Sequence, residues 1–138
     1  MPTILCVDDE PGALQVFRST LERLGHRVVA VTNADAALNV IGRGGVDLII
    51  SDYQMPGMSG IELVERLRED GVDVPVIMAT GHASIEHAVS SMKAGAVDYI
   101  TKPVRGQQLQ LAVEQALAYD RLRRENAHLR EEVRQLRG

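Results

Sequence analysis

The 138-residue chain holds a single cysteine, Cys6. One thiol forms no internal disulfide and builds no zinc-ribbon type of metal site. Tryptophan is absent, and the only other aromatics are three Tyr and one Phe. So few rings exclude a stacking platform for single-stranded nucleic acid. No apolar run reaches the ~18 residues of a membrane span, so no membrane association is expected. Met1-Pro2-Thr3-Ile4 lacks the basic start of a signal peptide, and the expected location is the cytoplasm. A strong excess of positive charge is missing too. The net charge of −4 does not suit a nucleic-acid surface spread over the whole protein. What is present is ordinary for one soluble globular domain: 45% apolar and 25% charged residues.

The average charge hides two parts. Residues 1–118 carry 9 basic and 15 acidic side chains, whereas residues 119–138 carry 6 basic and 4 acidic. Along the acidic body, short apolar runs alternate with helical patterns. Apolar runs at 3–7, 28–31, 46–51, 74–79 and 96–100 read as strands. Between them, residues 11–24, 34–43, 59–70 and 84–93 read as helices. Leu14, Phe17, Leu21 and Leu24 mark one face of the first, Pro11 suits its first turn and Gly25 its end. Ser59 is a candidate N-cap. A last helix starts near Arg105 and meets no breaker before Gly138. This is an α/β chain of (βα)₅ order. Strands apolar on both faces predict a doubly wound parallel five-stranded sheet covered on both sides. Sites in such folds form outside the carboxyl ends of the strands.

Four of the five strands deliver a polar group there. The first ends in Asp8-Asp9, the third in Asp52, the fourth in Thr80, and the fifth is followed by Lys102. Three converging carboxylates repel one another unless a positive charge sits among them. A hard divalent cation such as Mg²⁺ takes oxygen ligands from carboxylates and phosphate. Lys102 adds a fixed positive charge and Thr80 a hydroxyl donor, a set suited to a transferring phosphoryl group. A carboxylate such as Asp52 can act as the nucleophile and become an aspartyl phosphate.

With Met55-Pro56-Gly57 and Gly60 after Asp52, Gly81 after Thr80, and Tyr99 before Lys102-Pro103, the chain resembles the receiver domains of bacterial response regulators over about residues 3–118. The resemblance implies a flavodoxin-like fold and a switch that catalyses only its own phosphorylation and dephosphorylation. It implies Asp52 as phosphoacceptor, and Mg²⁺ held by Asp8 or Asp9, by Asp52 and by the backbone carbonyl of Gln54. Lys102 would contact a phosphoryl oxygen. Thr80 would move toward the phosphoryl group and Tyr99 would turn inward behind it. The Lys102–Pro103 bond is expected to be cis. Gln54 and His82 stand where the family varies and would tune the lifetime of the phosphoryl bond. The implied donor is a sensor histidine kinase. His26, His87 and His128 lie in no metal-ligand spacing and receive no role. Cys6 reads as a small buried hydrophobe.

Beyond residue 118 the apolar pattern tightens to Tyr119, Leu122, Asn126, Leu129, Val133 and Leu136, a heptad seam. Tyr119, Asn126 and Val133 take a positions and the leucines d positions. An a-position Asn favours a parallel dimer in fixed register. Glu125 at g would meet Arg130 at e of the partner helix, and Glu132 would meet Arg137. The expected boundary therefore divides a receiver, residues 1–118, from a coiled-coil linker, residues 119–138. The arginines are interleaved with Glu, so direct nucleic-acid binding is not expected. The seam reads as a linker cut short, similar to those of enhancer-binding activators of the NtrC type, with an output domain missing.

Three other readings compete. A phosphoaspartyl hydrolase acting on free substrates wants spaced acids after the first strand and a cap; adjacent Asp8-Asp9-Glu10 and short connections do not match. A flavin or nucleotide module wants small residues and backbone N–H groups there. A phosphorylation-independent dimeric scaffold would use the seam and leave the acidic edge idle.

Overall fold

The computed structural model describes residues 1–82 and 84–137; in the last helix it describes side chains through Asn126, and that of Leu129. The elements run β1 (Thr3–Val7), α1 (Pro11–Arg23), β2 (Arg27–Val31), α2 (Ala34–Gly42), β3 (Leu48–Asp52), α3 (Gly60–Glu69), β4 (Val76–Thr80), α4 (Ile85–Ala94), β5 (Asp98–Thr101) and α5 (Gly106–Arg137). The five strands form one parallel sheet in the order β2-β1-β3-β4-β5. The expected (βα)₅ sheet is thus observed, with strand boundaries displaced by up to two residues.

Local chemistry starts and stops the helices where the sequence reading expects. Pro11 opens α1, where its missing N–H costs nothing. Asn33, Ser59 and Ser84 cap α2, α3 and α4, each side-chain oxygen accepting a backbone N–H from the first turn. Such a cap contributes about 1 kcal/mol. Gly95 ends α4 at φ 116°, in the left-handed region that glycine enters without strain.

The pleat sorts the strand side chains between two cores. Ile4 and Cys6 of β1, Leu48 and Ile50 of β3, and Ile77 and Ala79 of β4 pack toward α1 and α5. The alternate residues Leu5, Val7, Ile49, Val76 and Met78 pack toward α2 and α3. The central strands are buried except at Thr3 and Asp52, which accounts for their unbroken apolar runs. Cys6 lies in the first core, and burial pushes its thiol up to about 12, so it is inert as a nucleophile. The parity also places the site. Asp8 and Asp52 continue the α1- and α5-facing series one step past the core, at the carboxyl ends of neighbouring central strands.

α5 is one unbroken helix of 32 residues, about 48 Å long. Leu109, Ala112, Val113 and Ala116 bury its first half against the sheet. No helix among the described residues is long and apolar enough to cross a membrane.

Candidate functional site

Asp8, Asp9 and Asp52 each offer a carboxylate oxygen, and the three oxygens lie within 4.8 Å of one another. Asp8 is 1% exposed. Its Oδ1 accepts the Glu10 N–H at 3.0 Å, and its Oδ2 lies 2.7 Å from Lys102 Nζ. The same ammonium stands 3.1 Å from Asp52 Oδ1. Lys102 therefore bridges the acids of β1 and β3 from the loop after β5. Asp9 is exposed and lies outside that bridge.

The charges here are imperfectly matched, one ammonium among three carboxylates. Burial holds the Asp52 carboxyl above its ordinary range, with Asp8 adding to the effect and the Lys102 hydrogen bond opposing it. Burial alone would lower Lys102, but its bonds to Asp8 and Asp52 outweigh that and hold it above its ordinary value. It stays charged across the physiological range. Hard oxygen donors with excess negative charge fit Mg²⁺, which favours carboxylates and keeps several waters. The donor chemistry therefore agrees with the metal that the sequence suggests.

Thr80 ends β4, is buried, and accepts the His82 N–H at 3.2 Å through Oγ1. Its carbonyl accepts the Lys102 N–H at 2.7 Å, which ties the lysine's backbone to the neighbouring strand. The Lys102–Pro103 bond is cis, as the resemblance implies. Gln54, Thr80, His82 and Lys102 all line one open cleft of about 690 Å³ with Asp9 and Asp52. Apolar side chains also line it, among them Val16 and Phe17 of α1 and Val104. Tyr99 lies apart from this cleft. Its hydroxyl donates to the His82 carbonyl at 2.8 Å, so the β4–α4 loop holds the ring.

Sequence reasoning missed four features. His87, given no role, stacks on Tyr53 with centroids 4.1 Å apart and planes 16° from parallel. The stack fastens α4 to the residue after Asp52. His82 meets the edge of the same His87 ring. No spacing in the sequence joins these residues, because α4 reaches β3 only through the fold. Gly60 was part of the pattern but its reason was not visible. A Cβ there would run into the Asp52 carbonyl, and into Met78 Sδ at 2.7 Å. Finally, Asp120, assigned to the linker, is buried against the body.

Of the heptad residues, four are described in full, and all four are exposed. Tyr119, Leu122 and Leu129 are 57%, 64% and 58% exposed, and Asn126 is exposed on the same stripe. The side chains of Val133 and Leu136, and of Arg130, Glu132 and Arg137, lie outside the described residues.

Fold and site together define the class: a flavodoxin-like α/β protein with a carboxylate and lysine cluster at the carboxyl edge of its sheet. The chain belongs to the response regulator receiver domain family, which its residues 4–114 match. It is 38% identical over 124 residues to response regulator protein TmoT of Ectopseudomonas mendocina, covering 90% of this chain and 56% of TmoT. It is 36% identical over 127 residues to DctD of Pseudomonas aeruginosa, a C4-dicarboxylate transport transcriptional regulatory protein, covering 92% of this chain and 28% of DctD. Its fold superposes on the crystal structure of NtrX from Brucella abortus with a TM-score of 0.88 and 34% identity, over 94% of this chain and 30% of NtrX. The chain thus spans about half of TmoT and less of the other two. It is a receiver of the two-component type, similar to parts of transcriptional regulators.

Proposed function

We propose that Asp52 is the phosphoacceptor of a switch that a sensor histidine kinase sets. The observation that carries this reading is the Lys102 ammonium placed between Asp8 and Asp52, beside Asp9 and under an open cleft. An Asp52 carboxylate oxygen attacks the phosphorus of the donor phosphohistidine. The new P–O bond forms as the P–N bond breaks, and the imidazole nitrogen leaves with the electron pair. Lys102 holds a phosphoryl oxygen during transfer and keeps its positive charge throughout. Asp8 or Asp9, Asp52 and the Gln54 carbonyl would hold Mg²⁺, which supplies positive charge against the phosphoryl oxygens. Thr80 trades the His82 N–H for a bond to the new dianion, donating its hydroxyl. Tyr99 then follows inward from the β4–α4 loop, shifting a two-state equilibrium across α4, β5 and α5. Gln54 and His82, at the rim of the cleft, set how fast water reaches the acyl phosphate.

Residues 1–118 act as the receiver and residues 119–138 as the linker in this reading. The exposed stripe Tyr119, Leu122, Asn126 and Leu129 supports a parallel homodimer. The match to NtrX reaches 94% of the chain, against 88% for a receiver domain from Clostridium thermocellum, which supports a linker similar to NtrX's. An output domain, in the cytoplasm, would receive the change; the receiver itself contacts neither nucleic acid nor membrane.

The test is incubation with Mg²⁺ and a small phosphodonor, followed by intact mass. One added phosphoryl group is expected in the parent chain and none in Asp52→Ala. No adduct, or an equal yield in Asp52→Ala, overturns the assignment.

A further inference from the structure

The edge of the sheet away from Asp52 carries a second charged cluster. Asp120 sits where α5 leaves the body, yet it is 5% exposed. A buried carboxylate is costly unless its lone pairs are used. Here Oδ1 accepts from Arg123 Nη2 at 2.8 Å and Oδ2 pairs with Arg124 Nε at 2.9 Å. The Arg123 fork then reaches beyond its own helix. Nη2 donates to the Asp73 carbonyl at 3.2 Å, and Nη1 stands 3.5 Å from Asp73 Oδ2. Asp73 lies in the turn between α3 and β4. The same turn is held from its other side by Arg68 of α3. Arg68 Nη1 donates to the Val72 and Val74 carbonyls at 2.7 and 3.0 Å, and Nη2 to the Gly95 carbonyl at 3.0 Å. One short turn is therefore clasped by two arginines, one bound to the C-cap of α4 and one carried by the departing helix.

A helix that extends from a domain through one element alone is free to swing and to roll. Apolar packing of Ala112, Val113 and Ala116 orients the first half of α5 but ends near Leu117, so swing and roll beyond it are left to other contacts. A planar guanidinium with fixed donor directions sets both.

We propose that Arg123, clasped between Asp120 and Asp73, is the positioning residue that fixes the exit angle and roll of the C-terminal helix relative to the receiver. The clasp presents the stripe bearing Tyr119, Leu122 and Asn126 in one orientation, and through the shared turn it ties that orientation to the C-terminal end of α4. The use of this orientation in signalling rests on the dimer reading above; the orientation itself does not.

The test is a distance distribution between nitroxide labels in the full chain, at Glu65→Cys on α3 and Ala127→Cys on α5. Labelled chain is diluted with unlabelled chain so that only intrachain distances are read. Buried Cys6 takes no label. The parent is expected to give one narrow distance. Arg123→Ala and Asp73→Lys, the latter at a side chain 71% exposed and thus safe for folding, are expected to lose it. Arg123→Lys, which retains the charge but not the fork, is expected to recover part of the narrow population. Phosphoryl uptake by intact mass is expected to be unchanged in all three, which separates a positioning role from damage to the site. A narrow, unshifted distance in Arg123→Ala overturns the proposal. Sedimentation of the parent chain reads the dimer separately: a monomer in every state removes the dimer reading and leaves the distance test standing.

Discussion

At the scale of single residues, the acidic site carries an electrostatic cost in the folded chain. Burial, aided by Asp8, holds the Asp52 proton to higher pH in the folded chain than in the unfolded chain. A carboxyl raised in this way makes the folded state bind more protons, so stability falls as pH rises through the window above the ordinary carboxylate range. Asp52→Asn removes that cost. In chelator at neutral pH it is expected to melt above the parent, with the advantage shrinking as pH falls into the ordinary range. Mg²⁺ is expected to stabilise the parent more than the variant, and at ten times its dissociation constant by about 1.4 kcal/mol. Equal melting of the two proteins at neutral pH without metal would contradict this. Gly60 is a second residue-scale constraint. Gly60→Ala forces a methyl group into the Asp52 carbonyl and Met78. A loss of about 1–3 kcal/mol in urea unfolding is expected, as for other overpacked sites, along with slower phosphoryl uptake. Asp8, Asp9, Asp52, Thr80 and Lys102 were legible in the sequence because strand ends in a parallel sheet face one edge. The Tyr53–His87 stack was not, because two rings from separate elements meet only after the chain has folded.

At the scale of elements, caps and apolar periods carried nearly all the information. Ser59 was readable as a cap because its side chain bonds the first turn of its own helix; Asn33 and Ser84 do the same but were not singled out. The strands were readable as apolar runs, the third and fourth ending in Asp52 and Thr80, but the first residues of β3, β4 and β5 lie two positions later than the runs suggest. Asp52 and Thr80 are polar members of β3 and β4, placed there by sheet pairing with their neighbours. The long last helix was readable as helix throughout. Its division of labour was only partly so, because Asp120 looks like a solvated charge until Arg123 and Arg124 are seen to close over it. The exposed stripe on this helix makes a prediction of its own. Leu122→Glu with Leu129→Glu places charge at two d positions and is expected to leave a monomer at concentrations where the parent self-associates, as read by sedimentation. Asn126→Leu is expected to tighten association while relaxing register. A parent that is monomeric throughout, or a double variant that associates as well as the parent, would contradict the seam.

At the scale of the molecule, the two edges of one sheet do different work. The carboxyl edge gathers the acids, Lys102 and Thr80 around an open cleft. The opposite edge clasps the helix that carries the exposed stripe. α4 touches both, through the Tyr53–His87 stack near Asp52 and through the Gly95 carbonyl on Arg68. A change at α4 therefore has a packed connection to each edge. The central claim concerns the first edge, and the most direct measurement locates the modified residue itself. The chain is phosphorylated with a small phosphodonor and Mg²⁺, reduced with borohydride, which converts an aspartyl phosphate to homoserine, and sequenced by tandem mass spectrometry. The account predicts homoserine at position 52 and nowhere else. Homoserine at position 8 or 9 instead, or an unreduced chain in spite of an added phosphoryl mass, would contradict it.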